Sequence, residues 1–404
     1  MGGTGEEGQA RLDVAWAALE AGFGALRARL LASPLAAGTG DRVRLHRWLL
    51  QARAMVHNFV VAPDWACPTF LTNTLFEPNT YDWLMPNPDF YYRYAFLDGT
   101  RSYRVEGRLG TAHFLEAQVI RGFWGDPAIR LLDNYDFAAF AAEADGGIAV
   151  SVGPIAPADG ANWIALDPAG APNILVLREC FNDWTCEKPA RLRIRPEDGA
   201  PSSSDLDEQA MAVRLEAALR LVRFCHDVFG GGLTEAVLDA VGTNRFQLLD
   251  TSRDSDAANP SASYLPLVYD LREDEALIIE LEIPRARYWS VHLGDPWLQA
   301  ADFTHHQSSL NGRQVRLDAD GRARLILSHR DPGFANWLDP VGRNKGVAIL
   351  RWYHSDRALV PQTRRVGLGD LARALPPGAP RVTAAERAQA LSARRDAVLS
   401  RYGH

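Results

Sequence analysis

The spacing of hydrophobic positions predicts helices at the start of the chain and in its middle. Apolar residues recur every three or four positions from Gln9 to Leu31, and a second helix is expected from Arg42 to about Phe59. A polar, turn-rich stretch then precedes a long helical pattern that continues to about Val228, with Ser204 or Asp205 as its N-cap.

Between these helices the pattern changes to the period of two that is typical of half-buried β-strands. Alternating stretches occupy Tyr91–Arg195 and Leu265–Tyr353 and are separated by Gly-containing turns. A capping box formed by Thr383 and Glu386 opens a final helix. The chain is therefore predicted to be mainly β with flanking helices, an α+β protein.

Two stretches of the chain, 144–180 and 319–353, carry the same short motifs in the same order. Both contain Asp-Gly, then Asn-Trp, then a Leu-Arg pair, at intervals that agree to one residue. The matched residues are Asp145, Gly146, Asn162, Trp163 and Arg178 in the first copy and Asp320, Gly321, Asn336, Trp337 and Arg351 in the second. This repeat indicates an internal duplication. We expect two tandem jelly-roll-like antiparallel β-sandwich modules that superpose.

The changes of pattern also predict domain boundaries. The expected parts are an N-terminal helical region at 1–75, a first β-sandwich module at 76–200, a helical connector at 201–255, a second module at 256–366 and a C-terminal helical tail at 367–404.

Composition excludes several classes of partner. The 404 residues carry a formal charge of −7 without a run of Lys or Arg, which argues against nucleic-acid binding. No stretch approaches the roughly 20 apolar residues of a membrane span, and no secretory signal is recognisable. Four cysteines in a chain of this length fit a reducing cytoplasm, and whether Cys180 and Cys186 are bonded is left open. No metal or cofactor is expected, and a homo-oligomer is left open.

The second module resembles a known family. The resemblance rests on the segments ARYWSVHL (286–293), SSLNG (308–312), DADG (318–321), DPGFANWLD (331–339) and ILRWY (349–353). These segments are similar to the domain-of-unknown-function 1214 family, and the first module looks like the domain-of-unknown-function 1254 region that often precedes it. The resemblance implies a two-sandwich bacterial protein and assigns no reaction.

One group of candidate catalytic residues occurs only in the second copy. Asp302, His305 and His306 lie in a loop after a Gly-Asp-Pro-Trp turn. Neighbouring residues of a strand point to opposite faces, so a shared metal would need an irregular backbone. We therefore expect one imidazole to act as a general acid or base, with Asp302 orienting it. His329 and His354 end strands of the same module, and one of them is expected to meet this loop.

A second group is expected to bind the substrate at an aromatic-lined cleft between the modules. Its members are Tyr288, Trp289, His292, Trp297 and Trp352. The segments Tyr81–Trp83 and Asn87–Asp89 are expected to face the same cleft. Residues present in both copies are instead expected to maintain the fold, with Arg178 and Arg351 bonded to buried carboxylates or carbonyls.

These residues favour one function and leave two others open. The leading hypothesis is an enzyme, a hydrolase or a lyase, that acts by acid/base chemistry on a hydrophobic hydroxylated small molecule. The alternative is a non-catalytic protein that binds a carbohydrate or lipid-like ligand. A structural or assembly role is the third possibility. The sequence contains no GxSxG, P-loop or HExxH motif, and no GxGxxG after a predicted strand, that would decide between them.

Overall fold

The computed structural model describes residues 3–72, 84–169, 172–199, 206–229, 231–250 and 259–402. Its helices are α1 (Gly3–Ala32), α2 (Thr39–Val56), α3 (Glu208–Phe224), α4 (Gly231–Val241), α5 (Leu371–Ala374) and α6 (Ala384–Tyr402). The expected N-caps Ser204 and Asp205 lie outside the described residues. Asp207 caps α3 instead, because its side chain accepts a hydrogen bond from the backbone N–H of Ala210 at 2.7 Å.

Seventeen strands form the rest of the regular structure in the described residues. In the first half they are β1 (Leu71–Thr72), β2 (Phe90–Asp98), β3 (Tyr103–Arg108), β4 (Phe114–Arg121), β5 (Arg130–Asp136), β6 (Ile148–Gly153), β7 (Trp163–Ala165), β8 (Pro172–Cys180) and β9 (Arg191–Pro196). In the second half they are β10 (Ala262–Asp270), β11 (Glu275–Leu281), β12 (Ala286–Gly294), β13 (Ser309–Asn311), β14 (Ala323–Ser328), β15 (Trp337–Leu338), β16 (Lys345–Ser355) and β17 (Gln362–Gly367).

The two halves have the same sheet topology. The first contains the sheets β1-β2-β8-β4-β5 and β7-β6-β3-β9, and the second contains β10-β16-β12-β13 and β15-β14-β11-β17. Apart from the added edge strand β1, each strand has a counterpart eight places later, so the predicted duplication is confirmed. A jelly roll is an antiparallel fold, and that narrower description is not supported, because β6 pairs with β7, and β14 with β15, in parallel.

The repeated Asn-Trp motif performs the same structural task in both modules. The side-chain amides of Asn162 and Asn336 each accept from a backbone N–H at 2.9 Å and donate to two backbone carbonyls. The indole N–H groups of Trp163 and Trp337 then donate to a carbonyl of the neighbouring strand, at 3.0 and 2.8 Å. The prediction that these residues maintain the fold is confirmed.

The C-terminal helix ties the two modules together through a row of arginines. Arg387, Arg394 and Arg401 are seven residues apart, so they lie along one face of α6, and all three are buried. Arg394 donates to the carbonyl of Ser309 at 3.2 Å in the second module. Arg401 donates to the carbonyl of Pro88 at 2.7 Å, just before the first module. The capping box of Thr383 predicted for this helix is present.

One sheet of each module faces the other across the middle of the molecule. The sheet that contains β2, β8 and β4 packs against the sheet that contains β10, β16 and β12 through a buried aromatic cluster. Its members are Phe90, Phe114, Cys180, Ala262, Tyr288 and Tyr353. The rings of Phe90 and Tyr288 are 5.3 Å apart and perpendicular, which is a favourable arrangement for two aromatic rings.

We predict that replacing Trp337 by Ala lowers the free energy of unfolding by about 3–5 kcal/mol, because the indole is buried and bonded. The equivalent change at Trp163, which is only partly buried, should cost less. Denaturant unfolding of both variants measures the difference. Equal costs, or none at Trp337, would contradict the assignment of this residue to the core.

Candidate functional site

Strand alternation carries the repeated arginines to the surface that the two modules share. Arg178 follows Val176 and precedes Cys180 on the same face of β8, and Arg351 holds the matching place on β16. Each arginine has a tyrosine directly across one neighbouring strand. Across the other neighbouring strand lies a further polar residue. We use the name arginine row for both cross-strand sets together, which are Tyr92, Arg178 and Glu116 in the first module and Tyr264, Arg351 and Ser290 in the second.

The guanidinium of Arg178 forms no hydrogen bond or ion pair with the described residues, and its Nη1 atom is shielded from solvent. Arg351 is only slightly better provided, since Nη2 donates to the carbonyl of Met85 at a long 3.5 Å and Nε has no partner. A shielded guanidinium without an acceptor is costly, since neither water nor protein replaces its lost hydration.

Two arginines elsewhere in the chain have well-bonded side chains, whereas Nε and Nη1 of Arg343 and Nη2 of Arg401 also lack partners. Arg93, on the opposite face of the same sheet, donates to Glu179 at 3.0 Å and to the carbonyl of Ala190 at 2.7 Å. Arg214 donates to three backbone carbonyls at 2.7–3.2 Å. The expectation that Arg178 and Arg351 find buried carboxylates or carbonyls is therefore wrong for Arg178, while Arg351 has one weak carbonyl contact.

Tyrosines surround the two arginines. Tyr92 and Tyr94 stack along β2 with ring centroids 6.5 Å apart, and the guanidinium of Arg351 lies 5.4 Å from the ring of Tyr264. Burial raises the pKa of Tyr92, against the opposing influence of Arg351 and Arg178. Burial also works to lower the pKa of Arg178, but nearby tyrosine hydroxyls raise it overall. Tyr92 therefore stays neutral and Arg178 stays charged at neutral pH.

The arginine row contains one buried carboxylate, Glu116, which does not pair with its arginines. Glu116 lies directly across from Arg178, yet it accepts hydrogen bonds from Tyr353, at 3.1 Å, and from Asn134, at 3.3 Å. It also bonds the imidazole of His354, whose positive φ of 46° turns the ring out of the strand's alternation. Both carboxylate oxygens are thus engaged with residues other than arginine.

Asn87 and Asp89 lie between the modules, as expected. Asp89 accepts from the hydroxyl of Tyr288 at 2.6 Å, from Trp184 at 2.6 Å and from Asn311 at 2.8 Å. Burial raises the pKa of this carboxyl group, although these donors oppose the shift. Tyr288 therefore belongs to the contact between the modules, with its hydroxyl fully used. The expected Tyr81–Trp83 segment lies outside the described residues.

His292 is the other predicted substrate-binding residue on this face. It is buried beside Arg351, its Nε2 atom lies 3.4 Å from the carbonyl oxygen of Met85, and its Nδ1 atom has no partner. Burial, and after it the charge of Arg351, hold the pKa of His292 well below its ordinary value. The ring is therefore neutral at neutral pH, with Nε2–H as the donor to Met85.

The three predicted substrate-binding tryptophans do not reach this face. Trp289 and Trp352 alternate with the cleft residues of β12 and β16, so they point into the core of the second module, with rings 5.7 Å apart. Trp297 is fully buried against the helices, where its indole N–H donates to the carbonyl of Asp41 at 3.2 Å. The expected aromatic lining of the cleft consists of tyrosines and phenylalanines instead.

The predicted acid/base group is assembled only in part. Asp302 lies 3.0 Å from Nδ1 of His305, as expected, while His306 bonds Asp339 at 2.8 Å. The side chain of His305 is 57% exposed. Within the described parts of the chain, no hydrogen bond or ion pair joins either ring to the arginine row, to His329 or to His354. The expected meeting of these histidines is therefore not observed.

The described residues contain neither a candidate metal site nor a candidate membrane-spanning helix. They contain no group of three or more His, Cys, Asp or Glu side chains placed to hold a metal ion. Among the same residues, no helix is long and apolar enough to cross a membrane. All four cysteines are free thiols, with Cys180 buried and Cys186 exposed.

Comparisons with known proteins support the resemblance seen in the second module. Residues 270–357 match the family model described as "Protein of unknown function (DUF1214)". The matched segment contains Tyr288, His292, Arg351 and the Asp302 loop, and the description of the family model assigns no activity to it. The expected relationship of the first module to the domain-of-unknown-function 1254 region stays a prediction.

A solved structure shares the fold. The chain is similar to an uncharacterised protein from Burkholderia cenocepacia, with 26% identity and a TM-score of 0.81 over 89% of this chain and 99% of that one. A protein from Vibrio parahaemolyticus is more distant, at 14% identity and a TM-score of 0.46 over 78% and 96% of the two chains. No curated protein sequence matches this chain.

Sequence reasoning missed the arginine row because it assigned every repeated residue to the fold. In a molecule whose two copies face each other, a repeated residue on the facing strands occurs twice at the shared surface. Arg178 and Arg351 each follow a run of four apolar residues in a strand, and this was the available signal.

We predict opposite effects from two matched arginine substitutions. Arg178→Met should leave the free energy of unfolding unchanged or raise it by up to about 4 kcal/mol, because it removes an unpaired charge. Arg93→Met should lower it by about 3–5 kcal/mol, because Glu179 loses its partner. Chemical denaturation of both variants tests the contrast. A loss at Arg178 as large as that at Arg93 would restore its structural interpretation.

Proposed function

We propose that the protein binds a small organic acid between its two β-sandwich modules, with the acid group at Arg178. The observation that carries this proposal is the shielded guanidinium of Arg178, which has no partner among the described residues. Guanidinium groups recognise carboxylate and phosphate oxygens by paired hydrogen bonds. A ligand that supplies those oxygens would remove the cost of the unpaired charge.

The surroundings of Arg178 support an aromatic or otherwise hydrophobic body for this ligand. Tyr92 and Tyr264 are only partly buried between the two packed sheets, and Tyr94, next to Tyr92 on the same face, is partly buried against Phe59. Their rings offer apolar faces and their hydroxyls offer hydrogen bonds, which suits a hydrophobic molecule that carries oxygen atoms. This proposal keeps the small hydroxylated ligand expected from the sequence and adds a negative charge to it.

Binding is tested by the thermal and calorimetric response to 3-phenylpropionate, hexanoate and inorganic phosphate. We expect an organic acid to raise the unfolding temperature of the wild-type protein, because it binds only the folded state. Arg178→Met should lose this response while remaining at least as stable as the wild type. Phosphate acting alone would point to a phosphate ligand, and no response to any of the three would contradict the proposal.

A matched control separates the arginine row from net charge. Arg272→Met removes one positive charge from an exposed site, where Arg272 pairs with Asp274 at 3.3 Å. This variant should respond to the organic acid as the wild type does. If it loses the response as Arg178→Met does, the effect is one of overall charge and the site assignment fails.

Catalysis at the same cleft is a second candidate function, as a hydrolase or a lyase. Two imidazoles are each held by a carboxylate, His305 by Asp302 and His354 by Glu116. Such pairs orient an imidazole for proton transfer. The Glu116–His354 pair includes a member of the arginine row, whereas the Asp302–His305 pair is on an exposed loop.

We predict that any conversion of a bound acid depends on one of these two pairs. Mass spectrometry of the ligand after incubation should reveal a product, and His305→Ala or His354→Gln should slow its formation by about 10²–10⁴-fold with binding retained. Asp302→Asn should fall between the wild type and His305→Ala. A ligand that binds and is recovered unchanged would leave a binding protein.

Two expectations from the sequence, the cellular location and the relationship of the first module, are also part of this proposal. We propose a cytoplasmic location, which the free thiols of all four cysteines support. We also propose that the first module is related to the domain-of-unknown-function 1254 region, which the shared topology of the two modules supports.

A further inference from the structure

The carbonyl oxygen of Met85 lies at a point where two donors converge. Nη2 of Arg351 is 3.5 Å away and Nε2 of His292 is 3.4 Å away. Both distances are at the long end for hydrogen bonds to oxygen, which usually measure about 2.7–3.2 Å. One oxygen atom is therefore held loosely by two groups that could hold it tightly.

One further polar atom of each of these two residues is also unsatisfied. Nε of Arg351 and Nδ1 of His292 are shielded from solvent and have no hydrogen-bond partner. A native structure leaves few such groups, and each one calls for an explanation. Two of them on adjacent side chains indicate that the arrangement around Met85 is not the one these donors bind best.

The backbone that supplies the oxygen is itself strained. Leu84 and Met85 have φ values of 62° and 48°, in the left-handed region that side chains other than glycine rarely adopt. The side chain of Met85 is buried against Val347 and Ile349 of β16. The segment is thus held in place by apolar contact while its backbone conformation works against it.

We propose that Arg351 and His292 form a second oxygen-binding subsite, which the Met85 carbonyl occupies here and a carbonyl oxygen of the ligand takes when it binds. This inference rests on the proposed function, because the same ligand places its acid group at Arg178. The two arginines lie in the same surface, because Tyr92 beside Arg178 and Tyr264 beside Arg351 pack against one aromatic cluster between the modules, so one small molecule can reach both. The ligand class is then an organic acid with a carbonyl oxygen near the acid group, such as a 2-oxo acid.

The chemistry of the two donors agrees with that class. His292 is neutral, so its Nε2–H donates without adding a second charge, and Arg351 supplies the positive charge. Together they would bind a polarised carbonyl oxygen more strongly than an alkyl carbon at the same position. An analogue without the oxygen would leave both donors with only their long contacts to Met85, so it would gain no binding from this subsite.

The test compares two pairs of acids that differ by this one oxygen. They are phenylpyruvate with 3-phenylpropionate, and 2-oxohexanoate with hexanoate. In calorimetric titrations of the full chain, we expect the 2-oxo acid to bind at least about tenfold more tightly in one of the pairs. His292→Phe should remove this advantage and leave the affinity for the simple acid unchanged, which also shows that the variant is folded.

His292→Gln serves as the matched variant. Its amide can donate as the imidazole does, and glutamine already occupies the equivalent position of the first module at Gln118. We expect this variant to retain a measurable part of the preference for the 2-oxo acid. A loss as complete as that in His292→Phe would contradict the assignment of the Nε2–H donor.

Displacement of the Met85 carbonyl has its own readout. The chain has four methionines, so methyl-labelled protein gives a simple spectrum in which Met85→Leu assigns one signal. The 2-oxo acid should move that signal, and the matched simple acid should not. Equal affinity for both members of each pair, or a Met85 signal that never moves, would overturn this inference and leave the proposed function intact. Failure of all four acids to bind would overturn both.

Discussion

The packing of one sheet from each module against the other is the contact on which the rest of the structure depends. Because the two modules share one topology, equivalent strands of each supply the facing surface. Alternation along β8 and β16 then places every second side chain in that surface, and so it brings Arg178 and Arg351 together with their tyrosines. Each copy of the duplicated sequence thus supplies one half of this shared surface.

The shared surface combines stabilising and costly interactions in separate layers. The aromatic cluster around Phe90 and the arginines of α6 hold the modules together with buried apolar contact and bonded charges. The neighbouring layer of Arg178 and Arg351 contributes no comparable bonds. Natural proteins accept such a cost mainly where a function needs it. This asymmetry separates the arginine row from the charged residues that support the fold.

Much of the architecture could be predicted from the sequence, because it depends on local patterns. The period-two segments, the capping box at Thr383 and the repeated Asn-Trp motif all gave elements that the structure contains. The tryptophans were misplaced because the cleft was identified by residue type rather than by phase. Trp289 is one position out of step with Tyr288 and Ser290, and it therefore points into the core of its own module.

The partners of individual side chains could not be read from the sequence in the same way. Whether Arg178 meets a carboxylate depends on how Glu116 is used, and Glu116 is taken by Tyr353 and His354 from the other module. The Asp302–His305 contact was predictable because the two residues are three positions apart in one loop. The exposure of His305 was not, since it depends on the packing around the loop.

The most direct test of this account is a crystal structure of the protein with phenylpyruvate or 3-phenylpropionate bound. We predict that the carboxylate of the ligand lies between the two modules, with its oxygens within about 3 Å of the Arg178 guanidinium. A carboxylate bound anywhere else, with Arg178 paired to an acidic side chain of its own chain, would contradict it.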